Sequence, residues 1–250
     1  MEKKRFLKKF TNQNDYDSQK DSVMGMPHVV LLEDTNEVVY ASENNTSSDP
    51  YNGFEYVDLG LPSGTMWATQ VIGGDNPLYF QWGDTVGYTQ TQVENGEKEF
   101  DYNCSDYKWN EGEFQCDGSS MVKYNPTDGL TVLELADDAA HVHIGGDWHM
   151  PTIEQLEELT TNTTSTWTAQ NDVNGILFTS NTNGNTLFIP AFGMVHDGMV
   201  SNLGIDINVW SNAVYEEYLH TAITLNGSSS DVSIKFNTRS LGFCVLGVVG

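Results

Sequence analysis

His141, His143 and His149 crowd one short stretch and invite a metal reading. On a helix i and i+2 face apart, and on a strand they share a face, but no carboxylate or cysteine stands at a familiar ligand spacing. The histidines therefore read as core or surface residues, and no metal is assigned. Asp137-Asp138 resembles an acid/base pair, yet directly before AAHVHI it is more simply a helix cap. Scattered Asp and Asn could offer calcium oxygen ligands, but no EF-hand loop is present. Cys244 lies inside the apolar run GFCVLGVV and reads as a buried, inert thiol, while Cys104 and Cys116 fall in a polar, glycine-containing segment. No G-x-S-x-G, P-loop or Rossmann fingerprint suggests a reaction or a cofactor. What remains is surface chemistry. Tyr102, Tyr107 and Trp109, and the His196-Asp197 pair between two GMV triplets, are the candidate ligand-binding residues, since aromatic faces and adaptable polar neighbours suit sugars or protein hot spots. The alternative is that these aromatics pack beneath their own loops.

The stretch that must organise these groups is Gly145 to Leu159, GGDWHMPTIEQLEEL. Gly145-Gly146 can end a short helix over Ala139 to Ile144. Pro151 pushes Met150 towards extended geometry, and Thr152 with Gln155 has capping-box spacing, so a helix is predicted to start at Ile153. Ile153, Leu156 and Leu159 share its apolar face, and it should stop in the β-branched run Thr160 to Thr164. Elsewhere the chain alternates short β-rich runs with turns. Strands are predicted in EYVDLGLPSGTMWAT, Leu78 to Trp82, Leu130 to Leu135, INVWSNAV, YLHTAITL, VSIKF and GFCVLGVV. Hairpins are predicted about Asn181 to Asn185 and about His196-Asp197, and Thr85 to Asn125 reads as one long loop. The class is α+β, with loop-rich antiparallel sheets and one or two short helices.

Charge is distributed unevenly. Eleven Lys and Arg stand against 35 Asp and Glu, a formal net charge of −24, and such a field repels nucleic acid and anionic lipid. Six of the eleven basic residues lie within the first 20 positions: Lys3, Lys4, Arg5, Lys8, Lys9 and Lys20. No apolar h-region follows MEKKRFLKKF and no run of about 18 apolar residues occurs, so neither secretion by that route nor membrane insertion is expected. An odd cysteine count fits a reduced, cytosolic origin better than a disulfide framework; a Cys104–Cys116 pair would belong to an oxidising medium.

Four parts follow. Residues 1–25 form a basic and polar arm, 26–42 a β-hairpin turning at Thr35-Asn36, 43–53 a polar linker, and 54–250 the main domain. An isolated hairpin is marginal in water. Its open edge and apolar side chains call for a partner chain. Phe6, Phe10, Tyr16, Pro27, Val29, Leu31, Val39 and Tyr40 are therefore the candidate anchoring residues.

Residues 54–250 resemble domains related to the formylglycine-generating (sulfatase-modifying) family, in the order FEYVDLGLPSGTMWAT, FQWGDT, DDAA–GG–W–MPT–helix, NTNGNTLFIPAFG, VWSN and RSLGFCV. The resemblance implies a C-type-lectin-like fold in which first and last strands pair, here Glu55 to Leu59 beside Gly242 to Val248. The relatives' thiol oxidation needs cysteines placed together, which this pattern lacks, and Trp210-Ser211-Asn212 is only the nearest approach to a lectin sugar signature. The chain is therefore read as no enzyme. The segment PHVVLLEDTNEVVYAS resembles the start of virion proteins of crAss-like tailed phages. Together the two resemblances imply a head-fibre or capsid-decoration subunit, made in the host cytoplasm and residing in the virion. It would be held by residues 1–42 to capsid or other virion proteins, homo-oligomeric as a trimer or dimer, and would display its domain towards a cell-surface glycan. The alternatives are an enzyme of formylglycine-generating type and a secreted bacterial adhesion domain.

Overall fold

Contacts within the chain divide it into two units, Met1–Gly53 and Phe54–Gly250. The computed structural model describes residues 51–111, 116 and 119–250, together with the backbone of three strands in the first unit. Those strands are β1 (Phe6–Phe10), β2 (His28–Leu32) and β3 (Glu37–Ala41). β2 and β3 pair antiparallel, with Leu32 opposite Glu37. β1 runs parallel to β2, with Phe6 opposite His28 and Phe10 opposite Leu32. One edge of the hairpin is thus occupied by the chain's own basic segment, a parallel partner that periodicity cannot reveal, while among the described residues the β3 edge pairs with no strand. Phe6, Phe10, Val29, Leu31, Val39 and Tyr40 lie in these strands, whereas Tyr16, Pro27 and the turn at Thr35-Asn36 lie outside the described residues.

In the second unit, β4 (Tyr56–Asp58) and β5 (Met66–Ala68) form a hairpin. Three helices follow: α1 (Gln90–Glu94), α2 (Ala139–Ile144) and α3 (Ile153–Asn162). Then come β6 (Thr163–Gln170), β7 (Val173–Ser180) and β8 (Thr186–Pro190), an antiparallel meander. β9 (Met194–His196) and β10 (Met199–Ser201) make a small hairpin. β11 (Ile207–Val214), β12 (Thr221–Gly227) and β13 (Val232–Thr238) make a second meander, and β14 (Val248–Val249) pairs with β5. This is a loop-rich α+β fold of small, mostly antiparallel sheets with few short helices.

Local signals place the helices. The Thr152 hydroxyl accepts from Gln155 N at 3.2 Å and the Gln155 amide oxygen accepts from Thr152 N at 2.9 Å, closing the capping box at Ile153. Leu156 and Leu159 are fully buried, which anchors α3 by roughly 1.5–3 kcal/mol per side chain. Asp138 caps α2 through His141 N, and α2 ends at Gly145, whose φ is 82°. The core gathers Trp67, Trp82, Trp148 and Trp210, each with no exposed area. Trp210 stacks on Phe243 at 4.4 Å and its indole donates to the Phe80 carbonyl at 2.8 Å, so aromatic burial costs no unpaired N–H there.

Three strand expectations and one loop expectation are corrected: Leu78 to Trp82 forms no strand, only isolated bridges from Tyr79 to Tyr88 and from Phe80 to Phe243. Leu130 to Leu135 forms no strand: Val132 makes one isolated bridge to Ala213, and Leu135–Asp137 turns into a 3₁₀ helix. The final strand pairs with β5, Val248 opposite Trp67, and not with the Glu55-to-Leu59 segment. β4 lies on the other side of β5, so the chain's end reaches β4 only through it. Thr85 to Asn125 is not all loop, since Thr89 and Gln92 close a second capping box over α1.

Candidate functional site

The long segment after Phe100 is held from its own first turn. Asp106 accepts from Phe100 N at 2.9 Å, from Asp101 N at 3.1 Å and from the Gln81 amide at 3.0 Å, while Lys98 Nζ lies 3.2 Å away. Cys104 and Cys116 are joined in a disulfide with Cα atoms 5.2 Å apart, which corrects the reduced state expected from an odd cysteine count. Tyr107 lies within the loop so closed and points inward. Tyr107 is 3% exposed, packs with Cys104 and Met121, and donates its hydroxyl to the Trp82 carbonyl at 2.9 Å. Burial raises its pKa well above the tyrosine range.

Trp109 covers this cluster, its ring centroid 5.0 Å from Tyr124 and 5.9 Å from Tyr107. Lys108 Nζ stands 4.1 Å over the Trp109 ring. Beneath it Arg239, with no exposed area, donates to the carbonyls of Lys123 at 3.1 Å and Tyr124 at 2.6 Å. Its guanidinium lies 4.9 Å from the Trp82 ring, and burial pulls its pKa below the usual arginine range. Tyr107 is therefore interior, not a surface ligand group, and Trp109 is half-buried in the same packing.

The other predicted residues do converge. Tyr102, 45% exposed, sits with its ring 5.1 Å from that of His196, and Tyr102 N donates to Asp197 at 3.4 Å. His196 Nδ1 is 3.3 Å from the Asp197 carboxylate and Nε2 is 2.9 Å from Ser201 Oγ. The turn is Asp197-Gly198, φ 47° and 70°, because Met199 pairs with His196. The corner offers a ring edge, an imidazole and a carboxylate, with the Ser201 hydroxyl in hydrogen-bond reach of the imidazole.

His141, His143, His149, Asp138 and Cys244 take part in the fold. His141 and His149 contact the carbonyls of Trp148 and Met150, and His143 that of Thr85. Asp138 accepts from His141 N and Met150 N; burial raises its pKa against those bonds. Cys244 is buried, which pushes its thiol up to about 12. Among the described residues no three His, Cys, Asp or Glu side chains converge as a metal site, and no helix is long and apolar enough to cross a membrane.

Two surface features escaped the sequence reading. Tyr215 and Phe236 stack at 4.3 Å, with the exposed Tyr218 beside them, linking the β11–β12 turn to β13. A cleft of about 300 Å³ opens between Thr69 to Asp75, the tip of the β6–β7 hairpin, and the end of β8. Its polar walls carry Gln70, Gln170 and Asn171 with Glu55 and Asp75, and Phe188, Pro190 and Phe192 supply apolar surface. Asn171 and Asp172, φ 49° and 65°, make the two-residue turn that fixes the hairpin tip. The only sequence signal for that wall was the Asn-Asp pair between β-branched runs. Compared with protein-family models, curated proteins and solved structures, the chain matches none.

Proposed function

We propose that the chain is a non-catalytic structural subunit of a crAss-like tailed-phage particle, a head fibre or capsid decoration. Residues 1–42 attach it to capsid or neighbouring virion proteins, and a C-type-lectin-like domain displays an adhesive surface towards the host. The observation that carries this reading is the division at Gly53, which separates a small three-stranded unit from a domain with its own core. Among the described residues the outer edges of β1 and β3 pair with no strand, and unpaired edges accept strands from other chains. Such edges also suit a closed homotrimer or homodimer. Support for a non-catalytic role comes from the cysteines: two are joined to each other and the third is buried. Deleting residues 1–42 should leave a folded domain that fails to join particles; normal incorporation of the truncated chain would refute the assignment.

One observation favours a secreted adhesion domain of a gut bacterium instead, namely the Cys104–Cys116 disulfide, since such bonds persist in oxidising compartments. Mass spectrometry of purified particles against culture supernatant separates the two. Recovery in the supernatant without particles would support secretion.

A further inference from the structure

Among the described residues, the side chains of Gln70, Gln170, Asn171, Glu55 and Asp75 in the cleft form no hydrogen bond or ion pair within the chain. Their framework is nonetheless fixed. The β6–β7 pairing runs unbroken from Thr163 opposite Ser180 to Gln170 opposite Val173, so the hairpin tip is a rigid wall. Across it, the Gln70 amide oxygen lies close to Gly74, 2.9 Å from where a Cβ would stand, at the flexible end of its side chain. Gly175 likewise lies close to Phe188, whose ring would stand 2.6 Å from an added Cβ. The Tyr79 hydroxyl donates to the Phe192 carbonyl at 2.7 Å and holds the third wall.

We infer that this cleft binds one pyranose residue of a neutral glycan. Its volume is at the lower end of the roughly 300–1,000 Å³ found for ligand pockets, and so suits a single sugar ring. No Lys, Arg or His lines it and two carboxylates do, in a chain of net charge −24, so an anionic sugar is repelled. Each of the three amides carries both donors and an acceptor, which matches hydroxyl groups that donate and accept. A simple cation would use the acceptors alone and leave the amide N–H groups and the apolar wall unused. Phe188, Pro190 and Phe192 offer the flat surface that a sugar's C–H face needs. The biological role of the site rests on the display reading, while binding itself can be measured on the chain alone. Several copies on one particle turn weak single-site binding into adhesion, raising avidity by roughly 10²- to 10⁴-fold.

The test uses the full chain in saturation-transfer NMR and calorimetry. The probes are glucose, galactose, mannose and N-acetylglucosamine, with glucuronic acid, galacturonic acid, glucosamine and galactosamine as charged counterparts. At least one neutral sugar should bind in the millimolar range, and its uronic acid at least about tenfold more weakly. The double variant Gln70→Ala/Gln170→Ala, both exposed, should weaken that binding about tenfold with an unchanged melting temperature. Three results would each overturn the inference: no neutral sugar bound, undiminished binding in the double variant, or tighter binding of an amino sugar than of its neutral parent. Incorporation of the double variant into particles is scored separately. A failure of the sugar site leaves it normal, whereas a failure of the display reading shows in the truncation of residues 1–42.

Discussion

The Tyr107 hydroxyl donates to the main-chain carbonyl of Trp82 at 2.9 Å, across 25 residues of sequence and inside the protein. That bond, with Cys104, Met121 and Trp109 packed around the ring, makes Tyr107 a core residue. Tyr107→Ala should cost about 3–5 kcal/mol, the range for a large aromatic removed from a core, and Tyr107→Phe about 1 kcal/mol. Tyr102→Ala, on the surface, should stay within about 0.5 kcal/mol. Urea midpoints of the three variants check the contrast; equal costs for the two alanine variants would refute it.

Asp137 supplies a pH signature. Burial alone would raise its pKa, but hydrogen bonds from Lys123 and Tyr124 and the charges of Lys108 and Lys123 outweigh burial and hold it below the ordinary range. With a folded-state pKa below the unfolded value, the unfolded chain binds more protons between the two, so stability rises with pH there. This contribution is present above the ordinary aspartate pKa of about 3.9 and lost as pH falls through the depressed one. Asp137→Asn should be less stable than the parent at pH 7, with the gap closing in acid. Thermal melts from pH 7 to 2.5 test this; a gap that is constant with pH would refute it.

The disulfide closes a short loop at a sequence separation of 12. Cross-links over loops of this size contribute about 3 kcal/mol, so Cys104→Ala/Cys116→Ala should lower the denaturant midpoint accordingly. A thiol reagent should find no reactive group in the native oxidised protein and Cys244 alone after unfolding, since burial keeps that thiol protonated.

At α3 the capping box gives a local test. Thr152→Ala removes the hydroxyl that accepts from Gln155 N and should cost about 1 kcal/mol, with Thr152→Ser restoring most of it. Chemical denaturation resolves the difference.

What could be read from sequence was what neighbours in the chain decide. The caps at Thr152 and Asp138 and the Asn183-Gly184 hairpin depend on residues within a few positions, and each is where the residue types place it. TTSTWTAQ becomes β6 although it is largely exposed, because it pairs residue for residue with β7; no apolar alternation marked it. LTVLEL has the composition of a strand, yet beyond the Val132 bridge the chain turns at Leu135. Tyr102 and Tyr107 are the same residue type five positions apart, and what separates surface from core is the Cys104–Cys116 closure and the distant Trp82. The cleft was invisible for the same reason: Glu55, Gln70, Gln170 and Phe192 line one cleft only after distant segments have met.

Arg239 and Ser240 hold the long loop by its main chain: Arg239 through the Lys123 and Tyr124 carbonyls, and Ser240 through that of Asp101 at 2.6 Å. Every amino acid carries a carbonyl, so these attachments ask nothing of the side chains they fasten. Outward positions such as Tyr102 and Glu111 can therefore be exchanged in combination while those attachments stay in place. The fold thus separates inheritance of shape from inheritance of surface. The second is open to change without renegotiating the first, and a randomised library at those two positions should yield mostly folded proteins.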